Sequence, residues 1–231
     1  QPAAPAPAGR YLGGNACGCC DPPGGPPLCC TTFWCPCVVV GQLWHRIVER
    51  GGGGTVMGSA AEHALSGVMD RFAVDCSAVV FNVDYRLAPE HPFPAQKVDA
   101  LAAVNAVLSG RIARLPRPQR LILAGDSAGA AVAMWAEAGA PPAVRSAVER
   151  IISFYGAFGL RDSDSLRRLG PQTPGLSAAD MAGMYARLGP ALPEDMRQSF
   201  RAGGAPLTLL VAGADPLADD SRTLALWCAD G

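Results

Sequence analysis

Apolar positions along this chain fall into two alternating rhythms. Unbroken runs of strand length occur at Ala78-Val-Val-Phe-Asn-Val83, Arg120-Leu-Ile-Leu-Ala124, Arg150-Ile-Ile-Ser-Phe-Tyr155 and Pro206-Leu-Thr-Leu-Leu-Val-Ala212. Between them lie stretches of helical spacing. Ser59 is placed to cap a helix over Ala60 to Phe72, in which Leu65, Val68, Met69 and Phe72 recur at three- and four-residue intervals. A second helix is expected from Ala95 to Leu108, with its apolar stripe on Val98, Leu101, Val104 and Leu108. A third runs through Ala130-Ala-Val-Ala-Met-Trp-Ala136, which has no breaker, and a last helix starts at about Ala218. Strands that alternate with helices in this way predict a mostly parallel sheet covered by helices on both faces. The segment from Leu87 to Pro94 carries three prolines, which exclude regular structure, so it is expected as an ordered loop. Residues 159 to 204 lack strand periodicity and hold helix-like pieces around 178 to 188, the pattern of a lid-like insertion above a sheet.

Composition narrows the class. With 231 residues, 49% of them hydrophobic, the chain can bury one sizeable core plus a small appendage. Its net charge is −1, and no basic run is interleaved with aromatics, which argues against a nucleic-acid partner. No stretch reaches the about 18 to 20 apolar residues that cross a bilayer. Residues 1 to 10 form a Pro/Ala-rich opening that reads as an extended linker.

The chemistry centres on Gly125-Asp126-Ser127-Ala128-Gly129, set between an apolar strand and a helix. Glycines at both ends of the pentapeptide let the backbone turn sharply enough to lift a serine hydroxyl above the sheet, which is what a nucleophile elbow requires. Ser127 is therefore a candidate nucleophile; an ordinary strand-to-helix turn with a capping serine is the competing interpretation.

Seven of the nine cysteines lie between Cys17 and Cys37, so residues 11 to 50 read as a separate module. Their spacing does not match the paired C-x-x-C pattern of tetrahedral zinc sites. A thiolate metal cluster, a disulfide-stapled unit and a reduced patch at a membrane surface all fit. The run Cys29-Cys30-Thr-Thr-Phe-Trp-Cys35-Pro-Cys37-Val-Val-Val-Gly41-Gln42 resembles the PLAC8 family of cysteine-rich proteins, which are associated with membranes and with heavy-metal tolerance. Cys29, Cys30, Cys35 and Cys37 are the candidate metal ligands there.

Residues 51 to 231 carry a second resemblance. Gly51-Gly-Gly-Gly-Thr-Val-Met-Gly-Ser59, Asp84-Tyr-Arg-Leu-Ala-Pro-Glu-His-Pro-Phe-Pro94, Gly125-Asp-Ser-Ala-Gly129 and Asp215-Pro-Leu-Ala-Asp219, in that order, resemble the hormone-sensitive-lipase-like esterases. The resemblance implies an α/β-hydrolase fold, incomplete at both ends, and a serine carboxylesterase acting on a small-molecule ester without a cofactor. In that family's terms Ser127 would attack the ester carbonyl and Asp215 would orient a histidine base. Backbone N–H groups of Gly52, Gly53 and Ala128 would form the oxyanion hole. Asp219 and Asp220 read as acidic charges at the start of the last helix.

Two departures from the family pattern stand out. Gly51 occupies the position of the family's His in HGGG, and the strand that leads into that loop is replaced by Leu43-Trp-His-Arg-Ile-Val-Glu-Arg50. The family's histidine base lies one helix and one strand after the Asp, beyond Gly231, and His45, His63 and His91 are not in positions to replace it. A second class of function therefore stands beside the esterase: a non-catalytic protein with a degenerate hydrolase scaffold and a metal- or membrane-binding cysteine-rich module. The cysteines favour a reducing cytoplasm, while the PLAC8 resemblance points to a membrane surface.

Overall fold

The computed structural model describes residues 37–40, 68–110, 112, 118, 120–201 and 203–230. The elements follow in the order β1 Cys37–Val40, α1 Val68–Asp75, β2 Val79–Phe81, α2 Ala95–Leu108, β3 Arg120–Asp126, α3 Ala128–Gly139 and α4 Pro142–Arg145. Then come β4 Val148–Phe154, α5 Asp164–Leu169, α6 Ala178–Arg187, β5 Leu207–Leu210 and α7 Ala218–Asp230, with short 3-10 turns at Gly170–Gln172 and Met196–Ser199. All four strand pairs are parallel, and the sheet order is β2-β1-β3-β4-β5.

The sheet contains a strand that sequence reasoning placed elsewhere. Cys37–Val40 pairs with Val79–Phe81 on one side and with Arg120 to Leu123 on the other. These four residues, expected in the cysteine-rich module, thus take a place inside the sheet, between β2 and β3. Their Val-Val-Val run is β-branched throughout, the residue type that strands favour. Cys29, Cys30, Cys35, the loop at Gly51 to Ser59, the opening linker and the first part of the helix expected from Ala60 all lie outside the described residues.

Burial along β3 explains why the sheet is covered twice. Leu121 and Leu123 join the large core with α2 and α3, while Ile122 and Ala124 join a smaller cluster with Cys76 and Ile152. Successive side chains of a strand point to opposite faces, so a run apolar at every position needs helices on both. Phe72 of α1 closes the smaller side, its ring 6.1 Å from that of Phe154.

The apolar face of α2 differs from the expected stripe. Gln96, Ala100, Val104, Val107 and Leu108 are buried, whereas Val98 is 53% exposed. Ala95–Leu108 is apolar around much of its circumference, so hydrophobicity alone does not select a face. A polar residue decides it. Gln96, fully buried, donates from Nε2 to the carbonyls of Arg86 at 3.0 Å and His91 at 2.7 Å, pinning the proline-rich loop onto the helix. Arg86 closes the loop from the outside through a bidentate pair with Asp99.

Helix α3 is buried along nearly its whole length, from Gly129 to Glu137, as a helix apolar all round must be. Trp135 is its anchor. It is fully buried, its ring lies 4.8 Å from Phe93 of the proline-rich loop and 6.2 Å from Phe200, and its Nε1–H donates to Ser199 Oγ at 2.7 Å. One side chain thus joins the loop at 88–94 and the segment at 196–200 to the helix behind Ser127. Between residues 159 and 204 the described elements are helices and turns, with α6 held by a capping box of Ser177 and Asp180.

Replacing Trp135 by Ala is expected to destabilise the fold by about 3–5 kcal/mol, because the cavity opens where three segments meet. Val98→Gln is expected to shift stability by less than about 0.5 kcal/mol. Urea unfolding of the two variants beside the wild type measures both.

Candidate active site

The turn from β3 into α3 is built around one strained residue. Ser127 has φ 48° and ψ −123°, a region that side-chain-bearing residues rarely enter and that carries a penalty of about 1–3 kcal/mol. The turn is held from three sides. Ser127 N–H donates to the Phe154 carbonyl at 3.0 Å, and its carbonyl accepts from Ala157 N–H at 2.9 Å and Ala130 N–H at 3.2 Å. Gly125 shows why the pentapeptide needs its glycines: a Cβ there would stand 2.2 Å from the carbonyl carbon and oxygen of Gly129. Strand and helix cross so closely that only backbone fits between them.

Strand register carries the second candidate to the same edge. Asp126 lies opposite Phe154, and Phe154 opposite Leu210. The three strands therefore end in line, with Ser127, Tyr155 and Val211 as the next residues. Asp215 follows in the turn after β5, half-buried, its Oδ1 accepting the Leu217 N–H at 2.8 Å. Burial raises the Asp215 carboxyl above its ordinary value, opposed by that hydrogen bond. Tyr155, itself at φ 40°, links the two ends electrostatically: burial first, then the charges of Asp126 and Asp215, push its phenol up to about 12. A ligand cleft at the carboxyl ends of parallel strands is the general expectation for open α/β sheets.

Ala128 is the first residue of α3, where backbone N–H groups have no acceptor within the helix. Gly52 and Gly53, the other expected oxyanion donors, lie outside the described residues. His91 is exposed in the proline-rich turn; its N–H donates to the Leu87 carbonyl at 2.9 Å and its own carbonyl accepts from Gln96. Among the described residues no group of three or more His, Cys, Asp or Glu side chains is arranged to hold a metal ion. No helix among them is long and apolar enough to cross a membrane.

Asp219 and Asp220 both stand in the first turn of α7, as expected of acidic residues at the start of the last helix. Asp219 pairs with Arg222 at 2.8 Å and accepts the Ser165 N–H at 2.8 Å. Asp220 is buried in addition, and one oxygen accepts the N–H groups of both Phe158 and Leu160 at 2.9 Å. Burial pushes its carboxyl up to about 7, against the pull of those two bonds. Asp126, beside Ser127, is also buried, one of its oxygens has no hydrogen-bond partner, and desolvation raises its carboxyl well above its ordinary value.

Comparison with known proteins agrees with this fold. A family model described as the alpha/beta hydrolase fold matches residues 47–229. The chain belongs to the α/β-hydrolase family, and the solved structures it is similar to include esterases. The hyperthermophilic esterase of the archaeon Pyrobaculum calidifontis superposes with a TM-score of 0.68 at 29% identity, over 84% of this chain and 63% of that one. An esterase of the bacterial hormone-sensitive lipase family superposes with a TM-score of 0.64 at 25% identity, over the same shares. Among curated proteins, the carboxylesterase NlhH of Mycobacterium tuberculosis is 39% identical over 117 residues, 48% of this chain and 35% of NlhH. The carboxylic ester hydrolase LipN of the same organism is 33% identical over 200 residues, 75% of this chain and 49% of LipN. The chain thus spans between about a third and a half of the length of these two relatives.

Gly125→Ala is expected to destabilise by about 3 kcal/mol or more, since no side chain can yield the space. By contrast, Gly183→Ala, on a helix where a Cβ would meet nothing within 4 Å, is expected to stabilise by roughly 0.5–1 kcal/mol. Urea denaturation reads both.

Asp220 also predicts a pH dependence. An acid raised by folding from about 4 to about 7 binds its proton more tightly in the folded chain. Between those values the folded state therefore holds more protons than the unfolded one, and stability falls as pH rises. Asp126 acts in the same direction. Unfolding free energy is expected to decline from pH 5 to pH 7, and Asp220→Asn to flatten that slope by up to about 1.4 kcal/mol per pH unit. Urea unfolding at pH 5, 6 and 7 measures it.

Proposed function

We propose that the protein hydrolyses carboxylic esters through an acyl-enzyme formed on Ser127. The observation that carries this reading is the strained backbone of Ser127, which the close crossing of Gly125 and Gly129 imposes and the neighbouring strand and turn hold in place. Ordinary capping serines have no need of such a conformation; a nucleophile that must stand clear of the sheet does.

Ser127 Oγ attacks the ester carbonyl while its proton passes to a base, and the carbonyl electrons move onto oxygen. Backbone N–H groups of Ala128, Gly52 and Gly53 are assigned to that oxyanion; each such donor lowers the barrier by roughly 3 kcal/mol. Collapse of the intermediate breaks the bond to the leaving oxygen, which departs with the proton as an alcohol. Water then attacks the acyl group in the same way and releases the carboxylic acid and free Ser127. The base assigned to this step is the histidine that α/β-hydrolases set after the acid in chain order, oriented by Asp215; no histidine follows Asp215 among the 231 residues, so the complete step is assigned to a protein that carries one there. The substrate class assigned here is a small-molecule carboxylic ester, in keeping with the relatives NlhH, a carboxylesterase, and LipN, a carboxylic ester hydrolase.

The test is hydrolysis of p-nitrophenyl acetate together with mass-spectrometric labelling by a fluorophosphonate. In a protein that carries the histidine after Asp215, Ser127→Ala is expected to abolish labelling and, like Asp215→Asn, to lower kcat by about three to four orders of magnitude. Hydrolysis that survives Ser127→Ala, or label found on another residue, overturns the assignment.

A further inference from the structure

The turn that leaves β4 is held by an unbroken series of backbone hydrogen bonds to three different parts of the molecule. Ala157 N–H donates to the Ser127 carbonyl at 2.9 Å, Phe158 N–H to Asp220 Oδ1 at 2.9 Å, Gly159 N–H to the Tyr185 hydroxyl at 3.1 Å, and Leu160 N–H to the same Asp220 oxygen at 2.9 Å. The elbow, α6 and α7 therefore meet on four consecutive amides. Packing leaves the turn little other freedom: Ala157 and Phe158 are buried, and the Phe158 ring stands edge-on to Phe200 at 5.9 Å.

We propose that Asp220 is a positioning residue for the nucleophile: its carboxylate locks the 157–160 turn, and the turn, through Ala157, holds the Ser127 carbonyl in the orientation the elbow needs. The proposal rests on the esterase reading of Ser127. Its physical ground is that a strained residue keeps its conformation only where the surroundings over-determine it. Two hydrogen bonds to one ionised oxygen are stronger than neutral ones and fix the two amides that flank Gly159. Asp220 also sits on the helix entered from the Asp215 turn, whose Leu217 N–H binds Asp215. Nucleophile and acid are thereby braced against one another through residues that do not touch substrate.

The decisive amide is that of Ala157, which is bonded to the elbow and not to Asp220. If Asp220 only caps its own turn, removing it frees Phe158 and Leu160 alone. If it positions the elbow, Ala157 is freed with them. Hydrogen exchange of the full chain at pH 8 reads this: in Asp220→Ala all three amides are expected to exchange about tenfold faster than in the wild type, a change on the scale of one lost hydrogen bond. Asp220→Asn keeps an oxygen but loses the charge, and about a threefold increase at the same three amides is expected. Circular dichroism establishes which variants fold, and Asp220→Asn carries the test if Asp220→Ala does not.

In turnover of p-nitrophenyl acetate by the protein that carries the histidine after Asp215, the folded variants are expected to lose about tenfold (Ala) and threefold (Asn) in kcat, with KM within about twofold of the same protein without the substitution. Wild-type protection at Ala157 in a folded variant, or an unchanged kcat, overturns the proposal. Absence of Ser127-dependent turnover in the protein that carries that histidine overturns the esterase reading instead, and Ala157 exchange then still decides whether Asp220 braces the elbow.

Discussion

Gly125 and Gly129 touch backbone to backbone, and most of the described structure follows from that contact. A Cβ at Gly125 would overlap the Gly129 carbonyl, so β3 can pass into α3 without an intervening loop only with glycine there. The short passage brings the helix directly onto the sheet. It also forces Ser127 into a conformation that no local preference favours. The strain persists because Phe154, Ala157 and Ala130 each bind the Ser127 peptide groups. The elbow is thus an outcome of long-range structure expressed at one residue.

Helix α3 carries the consequences outward. Because it lies flat against the sheet and is buried on every side, it can serve as a platform for segments distant in sequence. Trp135 performs that role, taking Phe93 against one side of its ring, Phe200 on another, and Ser199 at its nitrogen. Glu137, two residues further along, is buried and meets Arg201 at 3.5 Å. The segment above the sheet is therefore fastened to the helix that follows Ser127.

Charge is distributed unevenly around this frame. Exposed carboxylates such as Asp195 and Asp99 lie below their ordinary values because arginines bind them. The carboxyls beside the site, Asp126, Asp215 and Asp220, are raised because burial outweighs their hydrogen bonds. A cluster of acids held above the ordinary range is unfavourable to stability at neutral pH, and such arrangements gather where a fold serves chemistry rather than its own stability. The buried acids next to Ser127 and behind the 157–160 turn therefore stand apart from the surface ion pairs in kind.

Local pattern determined much of this. The strand–helix alternation, the boundaries of Ala95–Leu108, the elbow and the acidic turn after the last strand are all written in short-range sequence, because periodicity, glycine and proline act over a few residues. Tertiary structure alone decided the rest. Cys37–Val40 reads as part of a cysteine motif until β2 and β3 close on either side of it, since parallel pairing joins residues far apart in the chain. The buried face of α2 was set by Gln96 finding two loop carbonyls, not by the valine at position 98. Asp219 and Asp220 are identical neighbours in sequence. One faces solvent and Arg222, the other is turned inward to two buried amides, because side chains one position apart on a helix point about 100° apart, and only the packing of that helix says which direction is the interior.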